Sequence, residues 1–168
     1  DRKSVQVHGN ALRIPASFCA RGAGRHPYQR RKHVVFAIGA ARRSVRVVTP
    51  YFLPDEPLIT ALNAAALRGV EVQLVLPERT NLRLVTWAMR GELWKVLHHG
   101  CRVWLTPPPF DHAKLMTVDG AWTLLGTSNW DPRSLRLNFE LGVECYDPEL
   151  TSQLDALIDE RVVSATEL

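Results

Sequence analysis

From residue 44 onward the sequence alternates short β-branched runs with amphipathic stretches of helical period, each ended by Pro or Gly. Such alternation restricts a chain to the α/β layered folds, because helical stripes and strand runs bury their apolar residues only against another layer. Residues 44–50 (SVRVVTP) read as a strand stopped by Pro50, and residues 57–68 as a helix with Pro57 in its first turn and Gly69 beyond its end. Residues 70–76 (VEVQLVL) form the next predicted strand, ended by Pro77. The longest predicted helix covers 81–99, where Leu82, Val85, Met89, Leu93 and Val96 recur every three or four residues before Gly100. A strand follows at 102–105. Pro107, Pro108 and Pro109 cannot donate to a ladder, so the chain must break before a new strand over 112–118. Asp119-Gly120, a favoured two-residue turn, joins that strand to 121–126. Residues 137–146 read as a further strand, 148–162 as a closing helix, and 28–43 as a helix preceding all of these, with Val34, Ile38 and Ala41 on one face. Residues 8–27 show neither period and are expected to be loop.

A length of 168 residues suits one domain, and 46% apolar with 23% charged residues is an ordinary soluble composition. No apolar run approaches the 18 or so residues of a membrane span. The net charge of +4 hides an asymmetry: residues 1–43 hold ten basic side chains against Asp1 alone, and the rest of the chain is mildly acidic. A solvated charged face is the default for that basic end, with anionic lipid next and nucleic acid third. Cys19, Cys101 and Cys145 form no metal or redox spacing and read as free thiols, Cys101 and Cys145 as small buried side chains. An opening without Met or signal peptide leads to the expectation of a fragment of a longer chain.

The hairpin carries an unusual density of reactive groups. His112 and Lys114, two residues apart, project from one face of the predicted strand, and the turn brings Gly126, Thr127, Ser128 and Asn129 back beside them. An imidazole serves as nucleophile or general acid near neutral pH, and an ammonium beside it can hold a phosphoryl oxygen. Thr127 and Asn129 add neutral donors, and Gly126, lacking a side chain, lets backbone N–H groups come close to a substrate oxygen. These are the parts needed to stabilise five-coordinate phosphorus without a metal.

The spacing H-x-K-x4-D-x6-G-[ST]-x-N, filled by His112, Lys114, Asp119, Gly126, Thr127 and Asn129, resembles the HKD motif of the phospholipase D superfamily. The likeness extends through TPYFLPDEPL at 49–58, LPERTN at 76–81, WLTPPPFDHAKLM at 104–116 and NWDPRSLRLNFELGVECYD at 129–147, which look like the C-terminal half of bacterial cardiolipin synthases. The opening SVQV resembles the strand that begins such a half. The resemblance implies an α-β-α layered sandwich with a mixed sheet, a basic, poorly matched segment over 1–33 and a phospholipase D-like domain over 34–168. It also implies a phosphohistidine mechanism that uses neither metal nor cofactor. His112 would supply the imidazole, Lys114 and Asn129 would bind phosphoryl oxygens with Gly126 and Thr127, and Glu140 would hydrogen-bond the far nitrogen of the histidine. Asp119 opens the hairpin turn and is assigned to local structure and ion pairing first, to chemistry second.

The family builds one site from two such motifs, and this chain has one H-x-K. Either a second half belongs to the same longer chain, or two copies pair about a twofold axis. The implied partners are phosphatidylglycerol and the surface of a bacterial cytoplasmic membrane, reached peripherally or through a segment outside this chain. A dimeric phosphodiesterase or nuclease that binds nucleic acid through the basic end, and an inactive fragment lacking its second half, are the alternatives. His98-His99 reads as a helix-end pair favouring the dipole. Trp87 and Trp94, with Leu84 and Gly91, lie on a second helical stripe expected to be core or subunit contact. Tyr51, Phe52 and Leu53 follow a strand end and suit either substrate contact or packing.

Overall fold

A computed structural model describes residues 4–7, 10–13, 27–131, 134–135 and 140–168, with side chains from residue 31 onward. Seven strands form one mixed sheet, in the spatial order 142–146, 122–126, 115–118, 44–48, 71–77, 102–106 and 166–167. Strands β3 (Ser44–Val48), β4 (Glu71–Pro77) and β5 (Arg102–Thr106) run parallel. Beside β3 the sheet continues as an antiparallel meander of β6 (Leu115–Val118), β7 (Trp122–Gly126) and β8 (Gly142–Tyr146), and the short β9 (Thr166–Glu167) closes the other edge against β5. A separate hairpin pairs β1 (Ser4–Val7) with β2 (Asn10–Arg13). The loop expected over 8–27 is therefore corrected at 10–13, which pair as a strand, and at Pro27, where a helix begins; 14–26 lie outside the described residues.

The side-chain period of two sorts the sheet into its layers. Val45 and Val47 of β3, with Val72, Leu74 and Leu76 of β4, face helices α1 (Pro27–Ala40), α2 (Glu56–Leu67) and α3 (Arg83–Leu97). Val48, Val75 and Leu115 face α4 (Pro148–Val163) through Leu150, Leu154 and Ile158. This is the α-β-α sandwich with a mixed sheet. Leu58, Leu62, Leu74 and Ile38 are fully buried, and each such side chain contributes about 1.5–3 kcal/mol of burial.

The α4 face also carries a polar seam. Arg46 reaches Asp159 at 2.7 Å and Asp155 at 3.7 Å, and the Thr117 hydroxyl donates to Asp155 at 2.6 Å. A half-buried cation is costly without partners, so this seam fixes where α4 sits along the sheet. Asp147 caps α4 by accepting from the N–H groups of Glu149 and Leu150 at 2.8 and 3.0 Å.

Four features differ from the sequence expectation. Strand β6 begins at Leu115 rather than His112, because its neighbour β3 ends at Val48, paired with Leu115, and beyond that point one ladder bond remains, from Gly126 N–H to the Lys114 carbonyl. Strand β8 begins at Gly142; residues 136–139 lie outside the described residues. Strand β9, two residues long, has no readable pattern. The stripe of Leu84, Trp87 and Trp94 is neither core nor packed within the domain: these side chains are 82%, 78% and 63% exposed, because one face of α3 alone can meet the sheet, and Met89, Leu93 and Val96 occupy it. Cys101 and Cys145 are free and buried; burial pushes the Cys101 thiol up to about 12, and burial with nearby Asp147 raises Cys145, so neither offers a thiolate.

Candidate active site

The reactive residues gather at the edge of the sheet where the parallel strands end, the place where open α/β sheets receive ligands. β3 ends there and delivers Tyr51; β5 ends there and delivers Phe110; β6 starts there after His112 and Lys114; β7 ends there before Thr127 and Asn129; β8 starts there after Glu140. Segment 51–53 is stitched to 130 by backbone hydrogen bonds, Trp130 N–H to the Tyr51 carbonyl at 3.2 Å and Leu53 N–H to the Trp130 carbonyl at 2.8 Å. Stacked Phe52 and Trp130 rings bury the same join. It ties the residues after β3 to those following Asn129.

His112 stands exposed on the extended segment that leads into β6, with the Tyr51 ring 6.0 Å and the Phe110 ring 5.7 Å away, both edge-on. Asp111 anchors this segment: one carboxylate oxygen accepts from Ala113 N–H at 2.8 Å and the other from Arg161 Nε of α4 at 2.8 Å. Lys114 Nζ donates to the His112 carbonyl at 2.8 Å and lies 3.0 Å from His112 Nδ1. Burial, and then the Lys114 cation, lower the pKa of His112 below the ordinary 6.5, with Asp111 opposing. Both influences disfavour the protonated ring, and the Lys114 ammonium, a donor only, engages the ring lone pair at Nδ1. Burial also lowers Lys114, while Glu140 and Asp111 support its charge.

A titration follows from this geometry. A group lowered in this way takes its proton only as pH falls through a value below 6.5, so NMR titration of the His112 ring should give a midpoint under that figure. Lys114→Met removes one of the two lowering influences and should move the midpoint up, with burial still acting. A midpoint unmoved by that substitution would show that the ammonium is not beside the ring in solution.

Thr127 and Glu140 meet directly. The Thr127 hydroxyl donates to Glu140 Oε2 and accepts from Leu141 N–H at 3.0 Å, while Thr127 N–H donates to the Leu141 carbonyl at 3.0 Å. The expected substrate contact of Gly126 is corrected: its N–H is engaged by the Lys114 carbonyl at 3.2 Å. Its missing side chain has another cause, since a Cβ there would lie 2.4 Å from the Leu141 carbonyl oxygen. Asn129 Nδ2 makes one long bond to Ser134 Oγ at 3.4 Å; among the described residues Asn129 Oδ1 and Ser128 Oγ are buried without a hydrogen-bond partner. A buried polar atom without a partner is costly, so these two side chains gain from any rearrangement that brings a donor or acceptor to them.

Asp119 lies apart from these groups. It occupies the turn at the other end of β6, about 13 Å away by the rise of a four-residue strand. Its carboxylate accepts from the backbone N–H groups of Arg42, Arg43 and Ser44 at 2.7–3.2 Å, joining the hairpin to the start of β3. A place among the reacting groups is thereby corrected to a structural one. Phe110, Asp111 and Arg161 were not singled out by the sequence. Asp111, next to His112, carried a signal of position; Arg161, 50 residues on, carried none.

Residues 34–162 match the family model described as "Cardiolipin synthase, PLD-like domain". The chain belongs to this phospholipase D-like family. The cardiolipin synthase of Geobacillus sp. (strain WCH70) is 40% identical over 126 residues, 74% of this chain and 25% of that protein, so the chain spans about a quarter of the length of such relatives. Among solved structures, the phospholipase D family member Nuc from Salmonella typhimurium is 25% identical with a TM-score of 0.73, covering 82% of this chain and 90% of Nuc. NucT from Helicobacter pylori shares the fold, with a TM-score of 0.75 at 19% identity over 90% of this chain and 98% of its own. In this cardiolipin synthase-like phospholipase D domain, the HKD residues other than Asp119 share the open sheet edge. Among the described residues no helix is long and apolar enough to cross a membrane.

Proposed function

We propose that this domain is one half of a cardiolipin synthase-like phosphatidyltransferase, acting at the surface of a bacterial cytoplasmic membrane. The observation that carries the reading is the His112 imidazole set 3.0 Å from the Lys114 ammonium at an open sheet edge walled by Tyr51 and Phe110. In the proposed reaction a His112 nitrogen attacks the phosphorus of phosphatidylglycerol, and the P–O bond to the glycerol headgroup breaks. The leaving glycerol takes a proton from the imidazole of a second HKD half. The hydroxyl of another phosphatidylglycerol then returns its proton to that imidazole and attacks the phosphohistidine, giving cardiolipin and free His112. Lys114, Thr127 and Asn129 take the phosphoryl oxygens, the ammonium turning from the ring to the incoming charge. Glu140, which already supports the charge of Lys114 and receives the Thr127 proton donor, balances the cationic side of the site.

A second half is required because one imidazole cannot stand on both sides of an in-line displacement, and an alkoxide leaves poorly without a proton. It comes from the rest of a longer chain of the length seen in the cardiolipin synthases, with 34–168 as one HKD unit, or from a second copy. The likeness to Nuc, with a TM-score of 0.73 at 25% identity, favours a second reading, a paired single-motif phosphodiesterase. One experiment separates these. Incubated with phosphatidylglycerol in the presence of a partner that supplies the second imidazole and quenched in alkali, the chain is expected to carry a phosphatidyl mass on the peptide containing His112. Cardiolipin should form with second-order dependence on chain concentration if a copy supplies the partner imidazole, and only on adding a chain with the other motif if a second half supplies it. Hydrolysis of a simple diester without lipid transfer selects the phosphodiesterase. First-order transfer by a proven monomer overturns the two-half reading.

A further inference from the structure

The outward face of α3 takes no part in the chemistry above, yet it carries a row of large apolar side chains. Leu84, Trp87 and Trp94, with Gly91 between the tryptophans, recur at helical spacing and stand 82%, 78% and 63% exposed, while Leu82 just before the helix is 53% exposed. A continuous apolar row of this kind is unfavourable in water and marks a surface that something covers. The charge beside it is one-sided. From Arg79 to Gly91 the chain holds Arg79, Arg83 and Arg90 and no acidic residue. Arg83 and Arg90 are exposed and flank the stripe within about 60° of Trp87 around the helix. The ion pairs in and beside this stretch are Arg79 with Glu78 and Lys95 with Glu92 and Glu56, and among the described residues Arg83 and Arg90 have none.

The face adjoins the active edge. α3 begins just after Asn81, whose side-chain oxygen accepts from the Tyr51 hydroxyl at 2.5 Å, and Tyr51 lies against His112. A groove of about 770 Å³ runs between α3 and the segment that follows Tyr51; Leu53, Pro54, Trp87 and Ala88 line it with Arg90 and with Glu92, which is paired to Lys95.

We propose that this face of α3 seats the domain on an anionic phospholipid bilayer, with Leu84 and Trp87 entering the headgroup–acyl boundary and Arg83 and Arg90 on lipid phosphates. Indole rings suit that boundary, being apolar in body with one polar N–H, and arginine forks suit phosphate. A second copy fits the surface poorly, because twofold pairing would set the arginines of one copy against those of the other. A bilayer covers the apolar row and neutralises the cations together. The start of this face also lies beside the sheet edge that carries His112. The identity of the lipid rests on the phosphatidyl-transfer reading; the docking itself needs no turnover.

The test is sedimentation of the full chain with sucrose-loaded vesicles of phosphatidylglycerol or of phosphatidylcholine. The parent and His112→Ala should bind phosphatidylglycerol vesicles equally. Joint Leu84→Asp and Trp87→Asp should weaken binding at least 100-fold, and joint Arg83→Ala and Arg90→Ala on the order of 30-fold on phosphatidylglycerol with little change on phosphatidylcholine. Phe36→Asp, the same kind of change at the 77% exposed Phe36 of α1, should leave binding unchanged. If the acidic variants fail to fold, the parent still decides: brominated acyl chains should quench its tryptophan emission, and joint Trp87→Phe and Trp94→Phe should remove that quenching. Unchanged vesicle binding by the folded α3 variants, equal loss in Phe36→Asp, or a parent dimer that these variants split in the absence of lipid would overturn the docking face. Vesicle binding through α3 without cardiolipin formation would sink the transfer reading and leave the docking intact. Cardiolipin formation from short-chain lipid in solution, with α3 variants binding vesicles like the parent, would do the reverse.

Discussion

Replacing His112 with alanine is expected to reduce phosphatidyl transfer by on the order of 10⁴-fold or more once the domain is paired with its second half. Among the described residues no cysteine can take the role, since both are buried with raised pKa values, and no other histidine in the chain is followed by Lys two residues later. The substitution should leave the fold unchanged. His112 is exposed, and its segment is held by Asp111 through Ala113 and Arg161, not by the imidazole. Thermal unfolding of the variant should therefore superimpose on that of the parent while transfer, measured by mass spectrometry of the lipid products, disappears. Retained transfer would remove His112 from the mechanism.

Asp119→Ala should do the opposite, costing stability with the reacting groups left in place. The carboxylate that accepts three backbone N–H groups is lost, and alanine must adopt the positive φ of 55° at this turn. Hydrogen bonds to a charged group and the left-handed backbone together make the loss about 3 kcal/mol, a fall in Tm of roughly 10 °C for a domain of this size. Asp119→Asn, which still accepts and tolerates that φ, should recover much of it. Burial alone would raise the pKa of Asp119, but the N–H groups of Ser44, Arg43 and Arg42 and the Arg43 cation outweigh it and bring the pKa below 3.8. The contribution is thus complete at neutral pH and lost as pH falls through that lowered value, so the variant should show a shallower acid limb in its unfolding curve. A variant as stable as the parent would mean that the turn holds without the carboxylate.

These two substitutions mark how far the sequence could be read. Pro57, Gly69 and Gly100 punctuate the helices because proline and glycine act locally, and α2 and α3 end close to where they point. Asp119-Gly120 set the hairpin for the same reason. The start of β6 was not local: HAKLMTV looks uniformly strand-like, but how much of it pairs depends on where β3 stops, more than sixty residues earlier. The motif placed His112, Lys114, Thr127 and Asn129 at one edge, and the meander brings them there. It could not say that Gly126 N–H is taken by Lys114, since that bond depends on the last rung of a ladder. Nor could periodicity tell which of two apolar stripes on α3 meets the sheet; Trp87 and Trp94 were as hydrophobic as the residues that do. Arg161 was invisible because its partner lies on a loop that α4 reaches from the opposite layer.

That last contact sets a tolerance. The stretch carrying His112 is pinned on one side by Arg161 holding Asp111 and on the other by Gly126 holding Lys114. Between these fixed points the imidazole has the reach of its own side chain and little more. It cannot follow a substrate that arrives off centre. Whatever supplies the opposing imidazole must therefore meet this edge in register to within about 1 Å, and a partner misaligned by that much would still hold lipid while turning it over on the order of 100-fold more slowly.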